Sequence, residues 1–388
     1  AEDGIRDVER SRGLGDVYKR QIDLGWGHPS ARLHPLEQIK TASERMLAVD
    51  NRDPLQYGAT QGFGPFLESL SSFLSGQPAY GVSVDPRHLF LTAGASQGLD
   101  MACTLFAHSG DVVVVEEPTY FVIEEVFRDR KLKVVGVPMD SQGLIVADLE
   151  EKLRGGLRPK LVYIIPTFQN PTGISMEPAR KAQLVSLANK YDFRILADEV
   201  YHFINFESLP PPPFMAFDQG DRVISFGSFS KILAPGLRTG WVHASPEIIQ
   251  RFSNAALTFS GGGFNQYTSA LIREVIDLGF LDKNIDTLRE EYASRAVAMH
   301  EALHYAFLGE IECRIPSGGF YLWLTFPDGF DSHELLPLAE RAGVSYRPGN
   351  AFSESGRFSR NLRLAYSLYE TGELEEGVSR LAKAYRES

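Results

Sequence analysis

The sequence predicts an α/β protein, and three observations carry that expectation. From about Tyr57 onward, short β-branched runs alternate with helical patterns. The polar residues that suggest chemistry sit directly after those runs, where open α/β sheets collect their ligands. A long helical stretch, Asn284 to Phe307, then leads into a segment of different organisation. The candidate strands are His88 to Leu91, Val112 to Val115, Lys133 to Val137, Leu161 to Ile165, Arg194 to Ala197, Val223 to Phe226 and Thr239 to His243. Together they make a seven-stranded sheet.

Helices with one apolar face lie between these runs. Leu99, Cys103 and Phe106 recur at helical spacing after Ser96, and Leu184, Leu187, Ala188 and Tyr191 do so after Pro178. Such stripes are core faces and are assigned no chemistry. Beyond the long helix, Glu312 to Ile315, Phe320 to Phe326 and Asn361 to Tyr366 read as strands. Helices follow near His333 to Ala342 and from Leu374. The expected organisation is therefore a large domain over 51–283 and, over 284–388, a linking helix with a smaller α+β domain that the N-terminal segment 22–50 joins. Residues 1–21 lack hydrophobic periodicity and a signal-peptide apolar run, and read as a non-native leader outside the fold.

Composition narrows the partners. With 388 residues, 43% hydrophobic and 23% charged, the chain has the makeup of a soluble globular enzyme. A formal charge of -11 and the lack of any basic stripe argue against nucleic acid or an anionic membrane surface. No apolar run approaches the roughly 20 residues of a membrane span. Cys103 and Cys313 both lie in apolar stretches and read as buried thiols of a reducing compartment, hence a cytoplasmic expectation. No HExxH or CxxC spacing supports a metal.

The most informative stretch is Ser225 to Gly240, SFGSFSKILAPGLRTG. A strand enters a serine-rich turn that presents Lys231, with Ser228 and Ser230 before it and Arg238 after it. Hydroxyls and a planar guanidinium can hold a phosphate dianion, and an amine can condense with an aldehyde as a Schiff base. The cofactor this points to is pyridoxal 5'-phosphate, which makes 51–283 the cofactor-binding domain.

Four other strand ends carry candidates. Thr92 to Gln97 is a glycine turn opening a helix, either an ordinary helix start or one whose free N–H groups suit a phosphate. Tyr120 follows the second strand, and is either a packed loop residue or a ring that stacks on a pyridine face. Asn170, in Asn-Pro-Thr-Gly, is either an ordinary turn residue or an amide donor to the cofactor's phenolate oxygen and a substrate carboxylate. Asp198 ends the fifth strand, where a buried carboxylate is costly unless paired; a protonated pyridine nitrogen is a suitable partner. Tyr201 is placed to hydrogen-bond the phenolate oxygen, whereas Glu199 and His202 are expected to be structural. The glycines between Ser260 and Gln266 either approach the site or merely turn the chain.

In this order, these pieces resemble the aspartate-aminotransferase superfamily, fold type I of the pyridoxal-phosphate enzymes, from about Ile22 to Glu387. The resemblance is closest to the 2-aminoadipate, kynurenine and broad-specificity branch. It takes in Gln56-Tyr57-Gly58, Gly94, Tyr120, Asn170 to Gly173, Asp198 with Tyr201, Lys231 with Arg238, Pro316 to Phe320 and Asn361-Leu362-Arg363. It implies a mostly parallel large sheet sandwiched by helices, and a transaminase that moves an amino group from an L-amino acid to a 2-oxo acid by a ping-pong mechanism. Lys231 would carry the cofactor, Asp198 pair with its ring nitrogen, Asn170 and Tyr201 hold its phenolate oxygen, and Tyr120 stack on its ring. The groups around its phosphate would be Ala95, Ser96, Ser228, Ser230 and Arg238. Tyr57 would reach the phosphate of a neighbouring subunit in a homodimer. Arg363 would grip the substrate α-carboxylate, with Asn170 and Gly27 beside it.

Two departures from that branch stand out. The phosphate turn reads Gly-Ala-Ser-Gln-Gly where the branch commonly has Gly-Ser-Gln-Gln, replacing one hydroxyl with a methyl. Residues 1–21 also do not resemble the N-terminal helix that closes over the substrate in that branch. The alternatives to transamination are a β-lyase on the same scaffold and a non-catalytic regulatory domain, the latter calling for a DNA-binding segment ahead of the fold.

Overall fold

The computed structural model describes residues 21–48, 52–218 and 220–388; the leader expected over 1–21 falls outside them except for Gln21. The first strand, β1 (Ile22–Asp23), finds its partner more than 300 residues away. The large sheet follows: β2 (Leu89–Thr92), β3 (Val112–Glu117), β4 (Lys133–Asp140), β5 (Gly143–Leu144), β6 (Pro159–Ile164), β7 (Arg194–Asp198), β8 (Val223–Ser228) and β9 (Gly240–Ala244). All seven strands expected from sequence are present. The eighth, β5, is a two-residue edge strand too short to show any pattern in the chain.

The order across this sheet is β2-β9-β8-β7-β6-β3-β4-β5. Strands β4, β3, β6, β7 and β8 are mutually parallel, while β9 runs antiparallel to both its neighbours. The central strands are buried on both faces, as parallel strands between helical layers must be. Because side chains alternate along a strand, β7 sends Leu196 into one core and Ile195 and Ala197 into the other. Likewise β8 sends Ile224 and Phe226 one way and Val223 the other. The expected helix faces are buried, Leu99 and Cys103 over one side and Leu184 and Ala188 over the other.

A 28-residue helix, Phe280–Phe307, buries Leu281, Ile285, Leu288, Tyr292, Ala296, Met299, Leu303 and Phe307, a stripe at 3.6-residue spacing. It begins four residues before the expected Asn284, because Gly279 at φ 67° turns the chain into it. The smaller sheet is antiparallel, built from β10 (Glu312–Cys313), β11 (Tyr321–Thr325), β13 (Arg347–Pro348) and β14 (Asn361–Ala365) in the order β10-β11-β14-β13. β12 (Val344–Ser345) pairs instead with β1, in parallel. The Ala365 N–H then donates to the Leu24 carbonyl at 2.6 Å, and the Tyr369 hydroxyl accepts from the Asp23 N–H at 3.0 Å. So anchored, the next residues, Gly25 to His28, cross the carboxyl ends of the large sheet.

Sheet geometry also fixes one glycine. Gly227 on β8 lies opposite Trp241 on β9, and a Cβ there would fall 2.1 Å from the indole ring. Overpacking of this kind costs about 1–3 kcal/mol. Gly227→Ala is expected to lower the thermal midpoint by several degrees in a calorimetric scan, and an unchanged midpoint would contradict this packing.

Candidate active site

The sheet has its topological switch at β3, which is flanked by β4 on one side and β6 on the other. A cleft of about 290 Å³ opens beyond the carboxyl ends of these strands. Its lining contains every site residue expected from sequence except Tyr57: Gly27, Ala95, Ser96, Tyr120, Asn170, Asp198, Tyr201, Ser228, Ser230, Lys231, Arg238 and Arg363. Tyr57 is 82% exposed and lies outside the cleft.

Asp198 closes β7 and is 6% exposed. Its Oδ2 accepts the Tyr163 hydroxyl at 2.9 Å, whereas Oδ1 is buried with no hydrogen-bond partner. Burial pushes its pKa up to about 6, opposed by the Tyr163 hydrogen bond, a backbone N–H at Val200 and the Lys231 charge. A buried carboxylate oxygen left unpaired calls for a cationic donor. The protonated nitrogen of a pyridine ring meets that requirement.

Lys231 follows β8. Its Nζ donates to the Gly27 carbonyl at 3.1 Å and lies 5.2 Å from the Phe320 ring centroid and 5.7 Å from that of Tyr201. Burial pushes its pKa down to about 8; Asp198 opposes the shift and Arg363 and Arg238 add to it. The amine thus holds a useful neutral fraction near physiological pH.

A group of hydrogen-bond donors lies at the opposite wall. Gly94, at φ 91°, caps the helix Ala95–Phe106, and a Cβ there would sit 2.8 Å from Arg238 Nη2. Arg238 itself has a left-handed backbone, φ 46°, and donates to Ser230 Oγ at 3.4 Å. Ser228 Oγ accepts the Ser230 N–H at 3.1 Å. Guanidinium, hydroxyls and helix N–H groups converge where the missing side chain leaves room, a donor set suited to a phosphate dianion.

Another wall of the cleft is built on β14. Arg363 is 3% exposed; its Nη1 donates to Asn170 Oδ1 at 2.7 Å and its Nη2 to the Gly25 carbonyl at 2.5 Å, while Nε is buried without a partner. Tyr321 and Phe352 cover the guanidinium at 4.3 and 4.9 Å. An arginine can only donate, so its contact orients the Asn170 amide with Oδ1 toward it and Nδ2 left for another acceptor. Tyr201 and Tyr321 share a hydrogen bond at 3.0 Å. Gly27 is required by Tyr321, whose Oη lies 2.0 Å from where a Cβ would be. Burial raises the Tyr120 pKa to about 12, keeping that phenol neutral.

Glu199 and His202 lie outside the cleft. Glu199 accepts from the Phe214 N–H at 2.9 Å and from the Ser225 hydroxyl, and His202 Nε2 faces the Ala79 carbonyl at 2.7 Å. The glycine-rich stretch at 261–263 packs on the loop after Tyr57 through an antiparallel bridge between Gly58 and Gly263, and Asn265 Nδ2 donates to the Arg238 carbonyl. It therefore supports the wall that carries Arg238 rather than lining the cleft. Sequence reasoning missed Tyr163, Tyr321, Trp26, His28 and Arg347. Tyr163 reads as an ordinary strand aromatic, and only the alignment of β6 with β7 reveals that it serves Asp198.

Comparison with known proteins agrees with this geometry. The family model described as aminotransferase class I and II matches residues 19–381. The chain belongs to the class I and II aminotransferases. It is 34% identical over 387 residues to aromatic-amino-acid aminotransferase 1 of Thermococcus litoralis, covering 99% of this chain and 91% of that protein. It is 32% identical over 371 residues to the 2-aminoadipate transaminase of Thermus thermophilus, covering 94% and 90%. The crystal structure of Pyrococcus horikoshii kynurenine aminotransferase, a complex with PMP, superposes with a TM-score of 0.90 at 33% identity, covering 100% of this chain and 95% of that one. Like the rest of its family, this aminotransferase is a fold type I enzyme that depends on pyridoxal phosphate.

The Lys231 amine gives a direct test of the electrostatics. In cofactor-free aminotransferase, acylation of Lys231 followed by mass spectrometry is expected to rise with pH to a midpoint near 8, since only the neutral amine reacts. Asp198→Asn removes the charge that favours the ammonium form, so its midpoint should fall lower. A midpoint near that of an exposed lysine would contradict the burial of this amine.

Proposed function

We propose that this aminotransferase transfers the amino group of an L-amino acid to a 2-oxo acid in two half-reactions, with Lys231 as the amine that carries the cofactor and moves the proton. The observation that carries the reading is the meeting, in one cleft, of an amine held near neutrality and a buried carboxylate oxygen without a partner. Bound pyridoxal phosphate supplies an aldehyde for amine exchange and a cationic ring that takes up the electrons of the broken Cα–H bond.

The residues divide the remaining work. Asp198 Oδ1 would hold the ring nitrogen, and Tyr163 holds Asp198. Tyr120 would stack on the ring, Tyr201 and the Nδ2 of Asn170 would donate to the phenolate oxygen, and Arg238 with Ser228, Ser230 and the N–H groups at Ala95 and Ser96 would hold the phosphate. Arg363 would grip the α-carboxylate, with Asn170 and Gly27 beside it. Cα would then face the Lys231 amine, which would take its proton and return it. Breaking Cα–H in this geometry favours amino transfer over loss of the carboxylate, and no observation favours the β-lyase or regulatory alternatives.

The working unit is proposed to be a homodimer in the cytoplasm, with Tyr57 reaching the neighbouring site. Its ring is exposed, as are the large apolar side chains of Leu55 and Leu257, which supports an interface there, and the two cysteines are free. Among the described residues, no helix is long and apolar enough to cross a membrane. The chain is further proposed to divide into domains over 51–283 and 284–388, with 22–50 joining the second.

Lys231→Ala is expected to lower turnover by about 10³-fold or more while the protein still retains cofactor, measured by absorbance after gel filtration. Asp198→Ala is expected to lose the cofactor as well. Pyruvate and ammonia released from cystathionine without a 2-oxo acid would redirect the assignment to a β-lyase. Tyr57→Phe should weaken cofactor binding by about five- to tenfold, the scale of one hydrogen bond, and sedimentation equilibrium should report a dimer.

A further inference from the structure

One cationic group in the cleft has no task in the reaction proposed above. The cleft is lined by four cationic side chains, Lys231, Arg238, Arg347 and Arg363, against the single carboxylate of Asp198. The proposed reaction matches three of them: Lys231 with the aldehyde, Arg238 with the phosphate and Arg363 with the α-carboxylate. Arg347 is left over.

Its position is fixed by the smaller sheet. Arg347 on β13 lies directly across from Arg363 on β14. Cross-strand partners project from the same face, so both guanidinium groups reach the cleft from one surface. Like charges directly opposite one another are unfavourable, and the Arg347 charge adds to the burial that lowers the Arg363 pKa. Arg363 offsets this with two hydrogen bonds. The Arg347 side chain makes neither a hydrogen bond nor an ion pair with any described residue. Its guanidinium lies 5.5 Å from the Trp26 ring centroid and 5.8 Å from that of Phe121, both cleft residues. The carboxylate that feels its charge is Asp23, which already accepts the Gly25 N–H at 2.8 Å. Flat rings on the faces of a guanidinium leave its N–H edge available to a planar anion.

We infer that Arg347 is a specificity-determining residue that binds a second, distal carboxylate, so that the substrates are dicarboxylic amino acids and their 2-oxo acids. This rests on the transaminase reading and on Arg363 holding the α-carboxylate. Trp26 and Phe121 flank the methylene chain between the two carboxylates, and the distal one forms the charge-assisted pair that Arg347 lacks among the described residues.

The test compares L-glutamate and L-norleucine in single-turnover half-reactions of the holoenzyme, followed by cofactor absorbance. Wild type should prefer glutamate. Arg347→Met should lower the glutamate-to-norleucine ratio of kcat/KM by about 10- to 100-fold, mostly through KM, and Arg347→Lys should restore part of it. Calorimetric titration with glutarate, which carries two carboxylates and no amine, should give a Kd at least about tenfold weaker in Arg347→Met, while pentanoate shows no such change. A glutamate-to-norleucine ratio that stays constant, or glutarate binding that ignores the substitution, would overturn the assignment of Arg347 and leave transamination standing. Failure of every amino acid to change the absorbance would overturn both.

Discussion

The site is organised around the buried carboxylate at the end of β7. Asp198 sits among apolar strands where an ionised group is unfavourable, and the fold satisfies only one of its two oxygens, through Tyr163. The other oxygen is a standing demand for a cation. Its field reaches Lys231, opposing the loss of that amine's proton, while burial and two arginines act in the opposite direction. The balance leaves an amine close to neutrality beside a carboxyl group whose own affinity for protons is raised. The cofactor capture and proton transfer proposed above both rest on that tension.

Precision around this pair comes from close approaches that leave no room for side chains. Gly27 allows Tyr321 to reach Tyr201, and Gly94 allows Arg238 to face the start of a helix. Gly227 admits Trp241 beneath the turn that carries Lys231. Three unrelated glycines thus leave room for the phenol pair, for Arg238 and for the Trp241 indole. Their role is steric, and it becomes visible only once the facing residues are known.

Much of the fold was legible because it obeys simple periodicities. Strands dominated by apolar residues, such as those opening at Val112 and Val223, announce a sheet buried on both faces, and stripes such as Leu99, Cys103 and Phe106 announce its covering helices. The polar strand ends were legible for a related reason: Asp198 and Lys231 interrupt apolar runs where burial is costly. What remained hidden depended on alignment between distant strands. Tyr163 looks like any core aromatic until β6 is set against β7, and Arg347 looks like a surface residue until β13 is set against β14. The two-residue strand β5 is shorter than any period, and the Phe280 start of the long helix is fixed by the backbone of Gly279 rather than by a side-chain pattern.

The cleft also joins the two ends of the chain. Gly25 and Gly27 supply carbonyls to Arg363 and Lys231 only because Ile22 and Asp23 are strapped to Val344 and Ser345, and Leu24 to Ala365. A nascent polypeptide emerging from the ribosome can assemble the large sheet long before those partners have been synthesised. Completion of the wall around Arg363 is therefore a late event in biogenesis, and translation that stops short of the last strands yields a chain that has Lys231 but lacks that wall.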